Sequence, residues 1–236
     1  MWTAAQKLFL SVVRMASNSE LYEFMLALLE VPDETWARSA VGSASVAPTG
    51  GLVKIVSSSS RMASEHWSWL LDQRGGETLT PLAEVERHGV RVLEEAPGPL
   101  DNHYIHFAAF DPGTQAIHVS TASVKSVTEQ LKTDELSQLL GPVFVLDVVL
   151  WHEYFHVWSY AMRKTADKHA KPRRRFKPRS RETLLQRTSE ELAAVAFSKQ
   201  ASGLAFNPQL LQWLLIYTKD PRRARELARN VLGKSW

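Results

Sequence analysis

Two histidines four residues apart, with a glutamate beside the first, sit in the run Val149-Leu150-Trp151-His152-Glu153-Tyr154-Phe155-His156-Val157-Trp158. At positions i and i+4 of a helix both imidazoles lie on one face and reach a single metal ion. Glu153 is rotated off that line. From there it can approach a water held by the metal and act as general base in metal-assisted hydrolysis. The neighbouring positions Val149, Leu150, Tyr154, Phe155, Val157 and Trp158 are all uncharged, which predicts a buried helix carrying its ionisable groups at the floor of a cleft. The chain has no cysteine. Thiol nucleophiles, disulfide frameworks and Cys-ligated zinc or iron–sulfur sites are therefore excluded, and His and Glu are left as the metal donors. Zn2+ suits two neutral imidazoles and a carboxylate.

A hydrolytic zinc site takes three protein ligands and keeps a fourth position open. The third is expected from a helix downstream, and Ser189-Glu190-Glu191-Leu192-Ala193-Ala194-Val195-Ala196-Phe197 is the candidate, with alanines that permit close helix packing. His-Glu-x-x-His followed by a helical Glu-x-x-Ala resembles the gluzincin branch of zinc metallopeptidases. The stretch Glu191-x-x-Ala194-x-x-Phe197-Ser198 is similar to the Glu-x-x-Ala-Asn-x-Phe-Ala signature of the ImmA/IrrE family of regulatory peptidases, with Val195 and Ser198 in place of its Asn and Ala. The resemblance spans about residues 116–202. It implies Glu191 as the third ligand beside His152 and His156, although Glu190 has the same spacing to Ala193 and stays an alternative. It also implies a mainly helical α+β, zincin-like domain with a small antiparallel sheet above the active-site helix, hydrolysing peptide bonds of a protein or peptide substrate with Glu153 as catalytic base.

The elements that must position these groups are legible in outline. Apolar residues recur at helical spacing over roughly 4–15 and 19–30. Thr80-Pro81 is a cap and first-turn pair that predicts a helix running to about Glu95. A hairpin follows: His103–Ala108 as one strand, Asp111-Pro112-Gly113-Thr114 as turn, Ala116–Ser120 as return. After Thr121 the pattern predicts helices over roughly 122–131, 133–140, 142–163, 188–202, 207–218 and 221–232. In zincins a sheet edge above the active-site helix pairs with extended substrate backbone. Ile117, His118 and Val119 are the expected substrate-binding strand. His103 and His106, three apart in a strand, face opposite sides and do not share a metal. Tyr160, Tyr217, His169 and Arg187 are chemically able to stabilise an oxyanion. Arg187 or Asp147 could instead orient a ligand.

Three regions are expected: an N-terminal helical region 1–37, a Ser/Ala/Gly-rich linker or loop 38–60, and a zincin-like catalytic domain 61–236 with a basic insert 163–187. Within 38–60 the alternation Leu52-Val53-Lys54-Ile55-Val56 offers a short strand. The charge arithmetic isolates the insert. The chain has 28 Lys+Arg and 25 Asp+Glu, net +3. The insert holds eleven basic residues and two acidic ones (Asp167, Glu182), or +9, so the remainder sums to −6. Pro172 and Pro178 argue against one continuous helix and predict an exposed loop able to contact a polyanion such as nucleic acid. The most apolar N-terminal run, Leu8–Val13, is closed by Arg14. With neither signal peptide nor membrane span recognised, a cytoplasmic location is expected. Two rival functions remain beside the peptidase: a catalytically idle regulator of the same fold, and a polyanion-binding module using residues 163–187.

Overall fold

The computed structural model describes residues 20–41, 49–95, 106–169 and 180–233. In order these form α1 (residues 20–29), α2 (Asp33–Val41), α3 (Thr49–Arg74), α4 (Pro81–Arg87), β1 (Arg91–Glu95), β2 (Ala108–Asp111) and β3 (Ala116–Ser120). Then come α5 (Thr121–Leu131), α6 (Asp134–Leu140), α7 (Val145–His169), α8 (Ser180–Ala201), α9 (Gln209–Lys219) and α10 (Pro221–Leu232). The chain is α+β and mostly helical. Among the described residues no helix is long and apolar enough to cross a membrane.

Capping chemistry explains several of the limits. The Thr80 hydroxyl accepts from the Ala83 amide at 3.3 Å, with Pro81 opening the first turn. Asp220 does the same for α10 through the Arg223 amide at 3.0 Å. The helix expected to run from Pro81 to about Glu95 stops at Arg87, because Gly89 takes a left-handed φ of +71° that ends the helix. The residues Arg91–Glu95 that follow then enter a sheet as β1.

That sheet corrects the antiparallel expectation. Its order is β1-β3-β2, with β1 parallel to β3 and β2 antiparallel to it. The hairpin is present, although its first strand begins at Ala108, and residues 103–105 lie outside those described. β3 is the central strand: Arg91–Glu95 pair along one side of it and Ala108–Asp111 along the other. Ile117, His118 and Val119 therefore have no edge to offer an extended peptide, because both sides of their backbone are already paired. Ile117 and Val119 are also buried in the core. The edge position expected of these three residues is thus not the one β3 occupies.

Two apolar cores meet along α7. One gathers α1, α2, α5, α6, α9 and α10 around Met25, Leu28, Leu210 and Leu214, and takes Val145, Val148 and Val149 from the start of α7. The other packs α3, α4, β3 and α8 against Leu150, Trp151, Tyr154, Phe155 and Val157, with Phe197 fully buried between them. A helix serving two cores is apolar nearly all round, which accounts for the composition flanking the histidines.

Residues 49–60 correct the linker expectation. They are the first half of α3, which packs on α8. Ser59 is buried and its hydroxyl donates to the Ser189 carbonyl at 2.9 Å. Serine is a weak helix former, so this helix rests on tertiary packing rather than on its own propensity. The basic insert is likewise mostly helix: α7 runs on to His169 and α8 starts at Ser180, leaving only 170–179, with both prolines, outside the described residues. The expected helix over 4–15 also lies outside them.

Candidate metal centre

α7 supplies His152, Glu153 and His156, and α8 supplies Glu190 and Glu191 across the helix–helix contact. Close approach is possible because Ala193 and Ala194 of α8 are fully buried and present no bulk. Donor atoms of His152, His156 and Glu191 all lie within 4.8 Å of one another. The two Nε2 atoms are 3.2 Å apart. Glu191 Oε2 is 3.5 Å from His152 Nε2, and Glu191 Oε1 is 3.5 Å from His156 Nε2. A tetrahedral site with metal–donor bonds of about 2.0–2.1 Å has donor–donor edges of about 3.3–3.4 Å. The Nε2–Nε2 distance matches such an edge, the two carboxylate distances run to different oxygens of Glu191, and the three residues are a group that could hold a metal ion; two imidazoles with a carboxylate are a donor set that suits zinc.

The site is open on one side. The Glu191 side chain is 63% exposed, against 25% and 16% for His152 and His156. Burial acts to push His156 down, but the carboxylates of Glu190 and Glu191 override it and raise its pKa to about 10. Burial likewise acts to raise Glu191, and the two histidines reverse it, so its carboxyl is held well below the usual range. The pocket of donors favours positive charge at His156, whether a proton or a metal ion.

Glu190 is not a fourth donor to the same point. Its Oε1 lies 3.4 Å from His156 Nδ1, the ring nitrogen turned away from the cluster, and its Oε2 accepts from the Arg163 guanidinium. Although burial acts to raise the Glu190 pKa, His156 and Arg163 draw it down to about 2. A sequence cue to Arg163 existed: it lies seven residues after His156, two turns on and on the same face of α7.

Glu153 is buried, and its Oε2 accepts a 2.9 Å hydrogen bond from the Phe110 amide. Because Ser120 N donates to Phe107 O, the hydrogen-bonded pairs with β3 alternate from that point, and the amides of Ala108 and Phe110 point to the outer edge of β2. The strand that meets the candidate base is thus β2. Sequence reasoning missed the Phe110 contact because a backbone group carries no residue signature.

Of the remaining candidates, Tyr160 lies one turn beyond His156, with its ring edge-on to Phe110 at 5.8 Å. Tyr217 is buried in the other core against Trp213. Asp147 and Arg187 are exposed, Arg187 one turn before Glu191. His169 closes α7, about 20 Å along the helix axis from His156. His118 pairs with Glu95 at 2.9 Å on the neighbouring strand, and His103 lies outside the described residues.

No family model, no curated protein and no solved structure matches the chain.

Proposed function

We propose that the chain is a zinc-dependent peptidase whose ligands are His152, His156 and Glu191 and whose general base is Glu153. The observation that carries this reading is the convergence of the two Nε2 atoms, 3.2 Å apart, with the Glu191 carboxylate, whose two oxygens each lie 3.5 Å from one of them, and with a buried carboxylate on the adjacent residue of the same helix. A structural metal site has no need of that fourth group. The resemblance of His-Glu-x-x-His plus Glu-x-x-Ala to gluzincins points the same way.

A zinc ion bound there supplies Lewis acidity and makes water acidic enough to lose a proton near neutral pH. The Phe110 amide holds Glu153 Oε2, which leaves Oε1 to take the proton from the attacking water. The same carboxyl then returns that proton to the amine nitrogen as the C–N bond breaks, so the base ends each cycle ionised. An extended peptide would run along the outer edge of β2, using the backbone of Ala108 beside the Phe110–Glu153 contact.

The test is bound zinc and peptide hydrolysis, measured together for wild type and Glu153→Gln. Zinc retained at one per chain, with hydrolysis reduced by about 10²–10⁴-fold, is the expected result. A folded wild-type protein that takes up no zinc, or a Glu153→Gln variant as active as wild type, refutes it.

A further inference from the structure

We infer that Glu190 and Arg163 are positioning residues for the metal centre: Glu190 fixes the tautomer and ring orientation of His156, and Arg163 holds Glu190 in place. The inference rests on the metal-site reading above and goes beyond it, since it gives the second glutamate of the pair its own task.

Successive residues of a helix project about 100° apart, so Glu190 and Glu191 approach His156 from different sides. Glu191 reaches the Nε2 side at 3.5 Å and Glu190 reaches Nδ1 at 3.4 Å. The two nitrogens of one imidazole point away from each other, so Nδ1 cannot bind the ion that Nε2 binds. An Nδ1–H donated to the Glu190 carboxylate leaves the lone pair on Nε2, aimed at His152 Nε2 and Glu191. Arg163 then occupies the other Glu190 oxygen. With both oxygens taken, Glu190 is kept from swinging round to compete as a ligand.

The charges agree with this division of labour. Glu190 and Arg163 cancel, so the pair adds orientation to the centre without adding net charge. The Glu190 side chain is 15% exposed, and a carboxylate that enclosed needs its cation close by. Arg163 opens the basic segment, yet it is committed to the metal centre rather than to a polyanion.

The experiment is a zinc titration of the purified full chain against a chromophoric chelator, reading affinity and stoichiometry together. The variants are Glu190→Ala, Glu190→Gln, Arg163→Met and Glu191→Ala, with the thermal midpoint of each metal-free protein as a folding control. Expected is one zinc per chain for wild type and for the Glu190 and Arg163 variants, with affinity weakened about 10–100-fold in Glu190→Ala. Glu190→Gln falls between it and wild type, because an amide oxygen still accepts from Nδ1–H. Arg163→Met loses less than Glu190→Ala, and Glu191→Ala loses the site. Wild-type affinity in Glu190→Ala overturns the inference while leaving the metal site intact. A Glu190→Ala protein that is folded but binds no zinc makes Glu190 a ligand and also overturns it. A wild-type chain that binds no zinc removes the metal-site reading itself.

Discussion

Glu190 and Glu191, consecutive on one helix, reach opposite nitrogens of the His156 ring at 3.4 and 3.5 Å. One carboxylate faces the shared donor cluster and the other is turned to Arg163. In the proposed zinc site that split matters, because a second carboxylate on the same point would close the open position that hydrolysis needs.

Zinc should stabilise the fold by linkage. At a free concentration one hundred times its dissociation constant, a ligand that binds only the native state adds about 2.7 kcal/mol. A raised thermal midpoint with zinc, returned to the starting value by chelator, is the expected behaviour of the wild type. His152→Ala and Glu191→Ala should show no zinc-dependent shift. A shift of wild-type size in either variant would count against the ligand assignment.

The Phe110 amide should matter to turnover and hardly at all to metal binding. Phe110→Pro removes the donor to Glu153 Oε2 on the outer edge of β2, where proline is tolerated because the N–H faces away from the sheet. Phe110→Ala keeps the amide and loses only the ring. A hydrogen bond to a charged group contributes about 1.5–3 kcal/mol, so kcat should fall about 10- to 100-fold further in the proline variant than in the alanine variant. Equal kcat in the two would show that the amide does not serve the base.

Stability should fall in mild acid through His66. This imidazole of α3 is 4% exposed, stacks on Trp158 at 3.8 Å, and has a buried Nε2 with no hydrogen-bond partner among the described residues. Burial first, and His88 second, lower its pKa from 6.5 to about 4. Above pH 6.5 it is neutral folded or unfolded, so its contribution is fully present. Between pH 6.5 and about 4 the unfolded chain takes up a proton that the folded chain does not, and stability declines. The loss approaches about 3 kcal/mol at the low end. Urea denaturation of wild type and His66→Phe at pH 7.5 and pH 5 measures it. The wild type should lose stability over that range and the variant should lose less. An equal loss in both would assign the acid sensitivity to other groups.

Local patterns carried as far as their own helix turn. His152, Glu153 and His156 were legible because i, i+4 geometry is a property of the backbone alone, and the apolar residues around them announced a buried helix. The Ser-rich stretch at 57–60 has the composition of a loop because propensity is local. It is helix because α3 lies against α8, with Ser59 bonded to the Ser189 carbonyl. Gly89, at a φ of +71°, is the stop that separates β1 from the preceding helix, and a lone glycine carries that signal only weakly in the sequence.

The amino-acid sequence by itself determined which groups can do chemistry: two imidazoles on one helical face, a carboxylate beside them, two further glutamates in a small-residue helix, and no thiols. Tertiary structure alone decided how those groups divide the work. Which glutamate meets Nε2 and which meets Nδ1 depends on the rotation of α8 about its axis as it packs on α7, and the residues concerned lie 34 apart in the chain. Which strand is the edge depends on β1 pairing with β3 across more than twenty residues. Both are contacts between distant segments, set by burial of Phe197 and Tyr154 in a shared core, and no short-range periodicity encodes them.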